Sequence, residues 1–181
     1  MNCKHLQSTD KILMCKVGGD TMKTEIIPAY DRADEVRALF ADYMRMLVEN
    51  DPSFREYLKI QQYDKELEDF SIKYGMPDGR LYLLYCDGET AGCIALRKID
   101  GVRCELKRLY IKPEFRGHKL GEMLVRRLIS DAREIGYKYM LLDTLPFLQT
   151  AIRMYKNLGF YEIEKYNNSP MDTTIYMKFD L

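Results

Sequence analysis

The stretch CELKRLYIKPEFRGHKLGEMLVRRLI, Cys104 to Ile129, decides the fold. Its first part, through Ile111, reads as a strand. From about Lys119 an amphipathic helix follows: Leu120, Met123, Leu124, Leu128, Ile129, Ala132 and Ile135 share one apolar face, and Gly136 suits the stop. Between them, Pro113 and the run Arg116-Gly117-His118-Lys119-Leu120-Gly121 make a tight strand-to-helix connection. Neither the G-x-x-x-x-G-K-[ST] phosphate loop nor the G-x-G-x-x-G dinucleotide spacing is present. A helix start still offers unpaired N–H groups and a favourable dipole to an anion. Read alone, the motif is as well explained by an ordinary turn.

Upstream of this stretch lies more β text. RLYLLYC, TAGCIALRKI and RCELKRLYI are separated by Asp87-Gly88 and Asp100-Gly101, two hairpin turn signals. Before them, KTEIIPAY reads as a short strand ended by Pro28. DRADEVRALFADYMRMLVEN follows as a helix with Asp31 as its N-cap, and a less regular helical pattern runs from Phe54 to Tyr74. Downstream, YKYMLLDT is an apolar strand and FLQTAIRMYKNLG a helix. FYEIEKY and TTIYMKFDL close the chain as strands. A hairpin meander feeding a β-α-β crossover implies a mixed sheet with helices on both faces, an α/β (α+β) fold.

The bulk numbers restrict the function. With 181 residues the chain is expected to form one domain over residues 22–181, preceded by a poorly ordered extension over 1–21. Lys plus Arg and Asp plus Glu balance at 28 each, so no overall field recruits nucleic acid or an anionic membrane. The basic side chains of the Arg103–Arg127 region also fall on alternate faces. The five cysteines show no ligand spacing, no metal set is expected, and Cys86, Cys93 and Cys104 sit in strand text as small hydrophobes. Reduced thiols and the lack of a secretory segment point to a cytoplasmic protein.

R-G-x-x-x-G resembles the [RQ]-x-x-G-x-[GA] signature of the GNAT superfamily of N-acetyltransferases, with Lys119 where a middle glycine commonly sits. CELKRLYIKPEFRGHKLGEMLVRRLI is similar to that superfamily's fourth strand, pyrophosphate loop and third helix, and AIRMYKNLGFYEI to its late A-x-x-x-Y-x-x-x-G-F segment. The likeness spans about Thr24 to Leu181. It implies a mixed, mostly antiparallel sheet with central splayed parallel strands, and acetyl-CoA as cosubstrate. It implies that Arg116, Gly117, His118, Lys119, Leu120 and Gly121 bind pyrophosphate. The main chain of Leu109, Tyr110 and Ile111 would then pair with the pantetheine arm.

The resemblance also assigns chemistry. Tyr155 matches the tyrosine that often protonates the departing thiolate, although its apolar helical face also suits a packed core residue. Glu105 matches a general base of the histone-modifying branch. Alternation places Glu105, Lys107, Leu109 and Ile111 on one face and Leu106, Arg108 and Tyr110 on the other, so Lys107 would lower the Glu105 pKa and make a cross-strand ion pair the competing reading. Tyr166, Asn167 and Asn168, in EKYNNSPMDT, and the segment after the first helix are candidate acceptor contacts. The family's asparagine three residues before Ala151 is Leu148 here.

The expected activity is acetyl transfer from acetyl-CoA to a primary amine of a small molecule or an exposed peptide or protein amino group, by direct attack in a ternary complex. A non-catalytic acyl-CoA sensor is the alternative. Oligomeric state stays open, a homodimer being the assembly that exposed sheet edges of such folds often give.

Overall fold

The computed structural model describes the backbone of residues 12–17 and 20–181, and side chains from Met22 onward. In chain order the strands are β1 (Ile12–Val17), β2 (Asp20–Pro28), β3 (Arg80–Cys86), β4 (Glu89–Lys98), β5 (Arg103–Ile111), β6 (Tyr139–Thr144), β7 (Tyr161–Ile163) and β8 (Ile175–Asp180). The helices are α1 (Ala33–Asn50), α2 (Phe54–Ile60), α3 (Tyr63–Glu68), α4 (Ser71–Tyr74), α5 (Leu120–Ile135) and α6 (Gln149–Leu158). The described strands form one sheet in the order β1-β2-β3-β4-β5-β6-β8-β7. Every neighbouring pair is antiparallel except β5–β6. Part of the extension expected before Met22 is thus a strand, β1, paired along β2; residues 1–11 and 18–19 lie outside the described residues.

Two apolar layers cover the sheet. Leu124, Val125, Leu128 and Ala132 of α5 and Tyr155 of α6 pack on Leu84, Ile94, Leu96, Leu106 and Met140. On the opposite face Val36, Leu39 and Phe40 of α1, with Phe70 and Tyr74, pack on Leu81, Leu83, Cys93 and Ala95. The buried thiols Cys86, Cys93 and Cys104 behave as small core groups, and burial pushes Cys93 and Cys104 up to about 12. Gly136 and Gly159 stop α5 and α6 at φ 100° and 103°, a conformation that glycine adopts without steric cost.

Several sequence expectations shift. Asp31 does not cap α1: a turn from Ala29 to Arg32 (Arg32 N–H to Ala29 C=O, 3.1 Å) places Arg32 at the cap, with no side-chain cap bond. Asp34 and Glu35 instead set negative charge in the first turn. The helical pattern of residues 54–74 breaks into α2, α3 and α4, with Gln62 at φ 54° between the first two. The strand read in FYEIEKY ends at Ile163.

The face assignment in β5 needs the largest correction. Ala95 opposes Lys107, whereas Cys93 opposes Tyr110, so β5 carries an extra residue against β4. Arg108 takes φ 58° there. A bulge of this kind reverses the alternation beyond it. Leu106, Leu109 and Ile111 therefore share the α5 face, while Tyr110 joins the layer under α1 and the Arg108 side chain runs to α3.

Candidate active site

Parallel pairing of β5 with β6 covers only Arg103–Tyr139, Cys104–Met140 and Glu105–Leu141. Beyond Glu105 the two strands part, and the β6-facing edge of β5 loses its ladder. A cavity of about 960 Å³ opens in the gap. Leu109, Tyr110 and Ile111 line it from β5, Asp143 and Thr144 from β6, and Tyr155 from α6.

One end of this cavity is made of backbone. After β5 the chain makes a 3-10 turn over Pro113–Phe115, and Gly117 (φ 90°) and Lys119 (φ 57°) twist it into α5. Met123 N–H reaches back to Lys119 C=O (3.0 Å), so the amides before it fall in the unpaired first turn of the helix. Arg116, Gly117, Lys119, Leu120 and Gly121 all line the cavity; His118, half-buried, is not among the lining residues. Arg116 is partly engaged already, its Nε donating to Ile111 C=O at 3.0 Å and its guanidinium lying 5.8 Å from the Tyr110 ring. A Cβ on Gly121 would meet Met154 Sδ at 3.5 Å and Ile111 Cγ1 at 3.9 Å, ordinary contacts. The fold itself does not require glycine there, whereas a ligand lying on the helix start would. Turn, free amides and open strand edge together fit an anionic, strand-like ligand such as the pyrophosphate and pantetheine of acetyl-CoA.

Tyr155 is 5% exposed, packed against Phe160 at 5.5 Å between centroids, and belongs to the core as well as to the cavity wall. Burial pushes its phenol far above the usual range, with Tyr43 and Asp143 adding to the rise, so it keeps its proton at neutral pH. Leu148 stands at the start of α6, provides no side-chain cap and lines the cavity instead.

The other end is made of side chains. Lys107 Nζ lies 2.8 Å from Asp143 Oδ1, and Asp143 Oδ2 accepts from Tyr57 Oη (2.6 Å) and Asn167 Nδ2 (3.2 Å). Burial alone would raise the Asp143 carboxyl; the Lys107 ammonium and these hydrogen bonds hold it at about 2. Glu105 is fully buried beside the cavity and does not line it. Its Oε1 accepts from Tyr166 Oη at 2.7 Å and lies 3.7 Å from Lys107 Nζ, and its Oε2 is 2.5 Å from Arg97 Nη2. Asn168 is exposed on the wall of an adjoining pocket. The structure thus brings the loop, Leu109–Ile111 and Tyr155 to one cavity, and places Glu105, Tyr166 and Asn168 behind it.

Beneath α2 and α3 sits a second charged group. Arg108 Nε and Nη2 grip Glu66 at 2.6 and 2.8 Å, Lys73 and Tyr74 reach the same carboxylate at 2.7 and 2.8 Å, and Arg108 Nη2 also donates to Gln61 Oε1 at 3.1 Å. Burial would raise Glu66, but Arg108 and Lys73 hold it at about 2. This clamp ties α3 and α4 to β5 and, through Gln61, to the end of α2, which lines the cavity. Sequence reasoning missed Asp143, Tyr57, Glu66 and Arg108. The one available signal was an arginine inside strand text, which a bulge turns inward.

The chain belongs to the GNAT family: the family model described as "Acetyltransferase (GNAT) family" matches residues 36–160. It is 38% identical over 150 residues to an uncharacterized N-acetyltransferase of Schizosaccharomyces pombe, covering 82% of this chain and 88% of that one. Its fold matches an acetyltransferase from Streptococcus agalactiae at a TM-score of 0.71 (21% identity, 87% of this chain and 98% of that one). A GNAT family acetyltransferase from Elizabethkingia anophelis with acetyl-CoA bound matches at 0.50 (21% identity, 57% and 77%). The protein is a GNAT-type N-acetyltransferase, and no helix among the described residues is long and apolar enough to cross a membrane.

Proposed function

We propose that the protein transfers the acetyl group of acetyl-CoA directly to a primary amine, with both substrates in the 960 Å³ cavity. The observation that carries this reading is the parting of β5 from β6 next to the free amides of α5, with Tyr155 and Asp143 on the walls of the same gap. Bound there, acetyl-CoA supplies an activated thioester. Amides of the Arg116–Gly121 loop would hold its pyrophosphate, and the open edge of Leu109–Ile111 its pantetheine. As the neutral amine forms the new C–N bond and the C–S bond breaks, Tyr155 donates its proton to the sulfur, because burial keeps the phenol neutral; the proton the amine gives up leaves to solvent in the cavity and restores the phenol. Asp143, ionised at neutral pH and facing the cavity, accepts a hydrogen bond from the incoming amine and orients it. Glu105, off the cavity, acts as a positioning residue that fixes Lys107 and Tyr166.

Thiol release from acetyl-CoA, followed across a panel of small amines and peptides, tests the reading. Turnover with at least one primary amine, and little without it, is expected. Tight acetyl-CoA binding with no amine-dependent release would contradict it and favour a sensor.

A further inference from the structure

A smaller cavity of about 380 Å³ adjoins the first, and Tyr57, Gln61 and Lys107 line both. Lys73, Arg97, Asn168 and the carboxylate-bearing Glu66 contribute to the remainder of its wall. The carboxylates around it are already held. Glu66 is taken by Arg108 and Lys73, Glu105 by Arg97 and Lys107, and Asp143 by Lys107. Four cations (Lys73, Arg97, Lys107, Arg108) thus face three carboxylates (Glu66, Glu105, Asp143), leaving one positive charge in excess.

Solvent screens part of that excess poorly: the side chains of Lys73 and Lys107 are 19% and 11% exposed, and that of Arg97 is 39% exposed. Burial pushes Lys73 down, Glu66 opposes the shift, and the like charges of Arg108 and Arg97 add to it. Arg97 Nε is buried with no hydrogen-bond partner among the described residues. An anion in this pocket would balance the charge and give Arg97 an acceptor. A planar, singly charged carboxylate matches both the guanidinium and the size of the excess; a phosphate dianion would overshoot it.

We infer that the smaller cavity is a carboxylate subsite for the acceptor, so that the enzyme acetylates an amine carrying a carboxylate, an amino-acid-like molecule. This inference rests on the larger cavity being the transfer site. The acceptor's ammonium end faces Asp143, and its carboxylate reaches past Lys107 toward Arg97, with Lys73 completing the field. Opposite ends of one zwitterion thereby meet opposite charges.

The experiment uses matched acceptors: a series of α- and ω-amino acids, each beside its amide and its decarboxylated amine. At least one amino acid is expected to exceed both partners about tenfold in kcat/KM, the factor worth about 1.4 kcal/mol. Arg97→Gln should bring that ratio close to one, and Arg97→Lys should keep part of it. Should Arg97→Gln lose its cooperative melt, Lys73→Gln takes its place, with a smaller fall in the ratio expected. Equal rates within every matched set, or a preference that survives both Arg97→Gln and Lys73→Gln, would overturn the subsite while leaving acetyl transfer intact. Acetyl-CoA binding with no transfer to any amine would overturn the transfer site, and the subsite with it.

Discussion

The two sides of β5 are built by opposite means. Toward α5, the cavity wall is backbone: glycine-permitted turns, helix-start amides and an unpaired strand edge, resting on an apolar layer. Toward α2 and α3, the strand meets a network of ion pairs drawn from Glu66, Arg97, Glu105, Lys107, Arg108 and Asp143, of which Lys107, Arg108 and Asp143 line the cavity. Backbone presents the same shape whatever the side chains, which suits an invariant cosubstrate. A charged network can be rewritten residue by residue, which suits recognition of one particular acceptor. The price of the second solution is sensitivity: each ion has been taken from water and depends on its partners.

The largest effect is expected in that network. Arg108→Met leaves Glu66 buried with only Lys73 opposite and should cost about 3–5 kcal/mol in urea unfolding; adding Glu66→Gln should recover much of the loss. The same pair gives a pH signature. Glu66 and Asp143 are held at about 2, below their usual 4.5 and 3.8, so their contribution is complete above about pH 4.5 and fades as pH falls toward 2. The acid limb of the stability curve should flatten in Glu66→Gln. An unchanged limb and a loss below 1 kcal/mol would remove the clamp from the account.

Next in size is Tyr155→Phe, which removes one hydroxyl from the cavity wall. Turnover should fall about 10²-fold, or ~2.7 kcal/mol, with acetyl-CoA affinity nearly unchanged. Equal turnover would return Tyr155 to a packing role. On the backbone side, Gly121→Val should weaken acetyl-CoA binding about tenfold by calorimetry, ~1.4 kcal/mol, by placing a side chain where the ligand lies. Smallest is Lys119→Gly. Lys119 holds φ 57°, a conformation costing a non-glycine residue about 1–2 kcal/mol, so glycine should raise stability by up to about 1 kcal/mol. A drop in melting temperature would show that the lysine side chain supports the loop.

What could be read in the sequence follows the same division. Hairpin turns at Asp87-Gly88 and Asp100-Gly101, the α5 periodicity and the Arg116–Gly121 turn are local signals, since turn chemistry and helical spacing act over a few residues. Arg108 meets Glu66 across 42 residues and Tyr57 meets Asp143 across 86, distances over which no spacing rule acts. The β5 bulge matters most: one extra residue turns Arg108 to the α3 side and moves Leu109 to the other face, so strict alternation grouped Glu105 with the wrong partners. Asp31 failed as a cap for a similar reason, because a turn one residue long in its effect moved the helix start to Ala33.

Hydrogen exchange tests most directly the claim that β5 divides the two ligands. Acetyl-CoA alone should protect the amides of residues 109–111 and 116–122, and adding an accepted amine should extend protection to α2 and residues 166–168. Protection by acetyl-CoA concentrated in α2 and residues 166–168, with the 116–122 amides unchanged, would contradict the account.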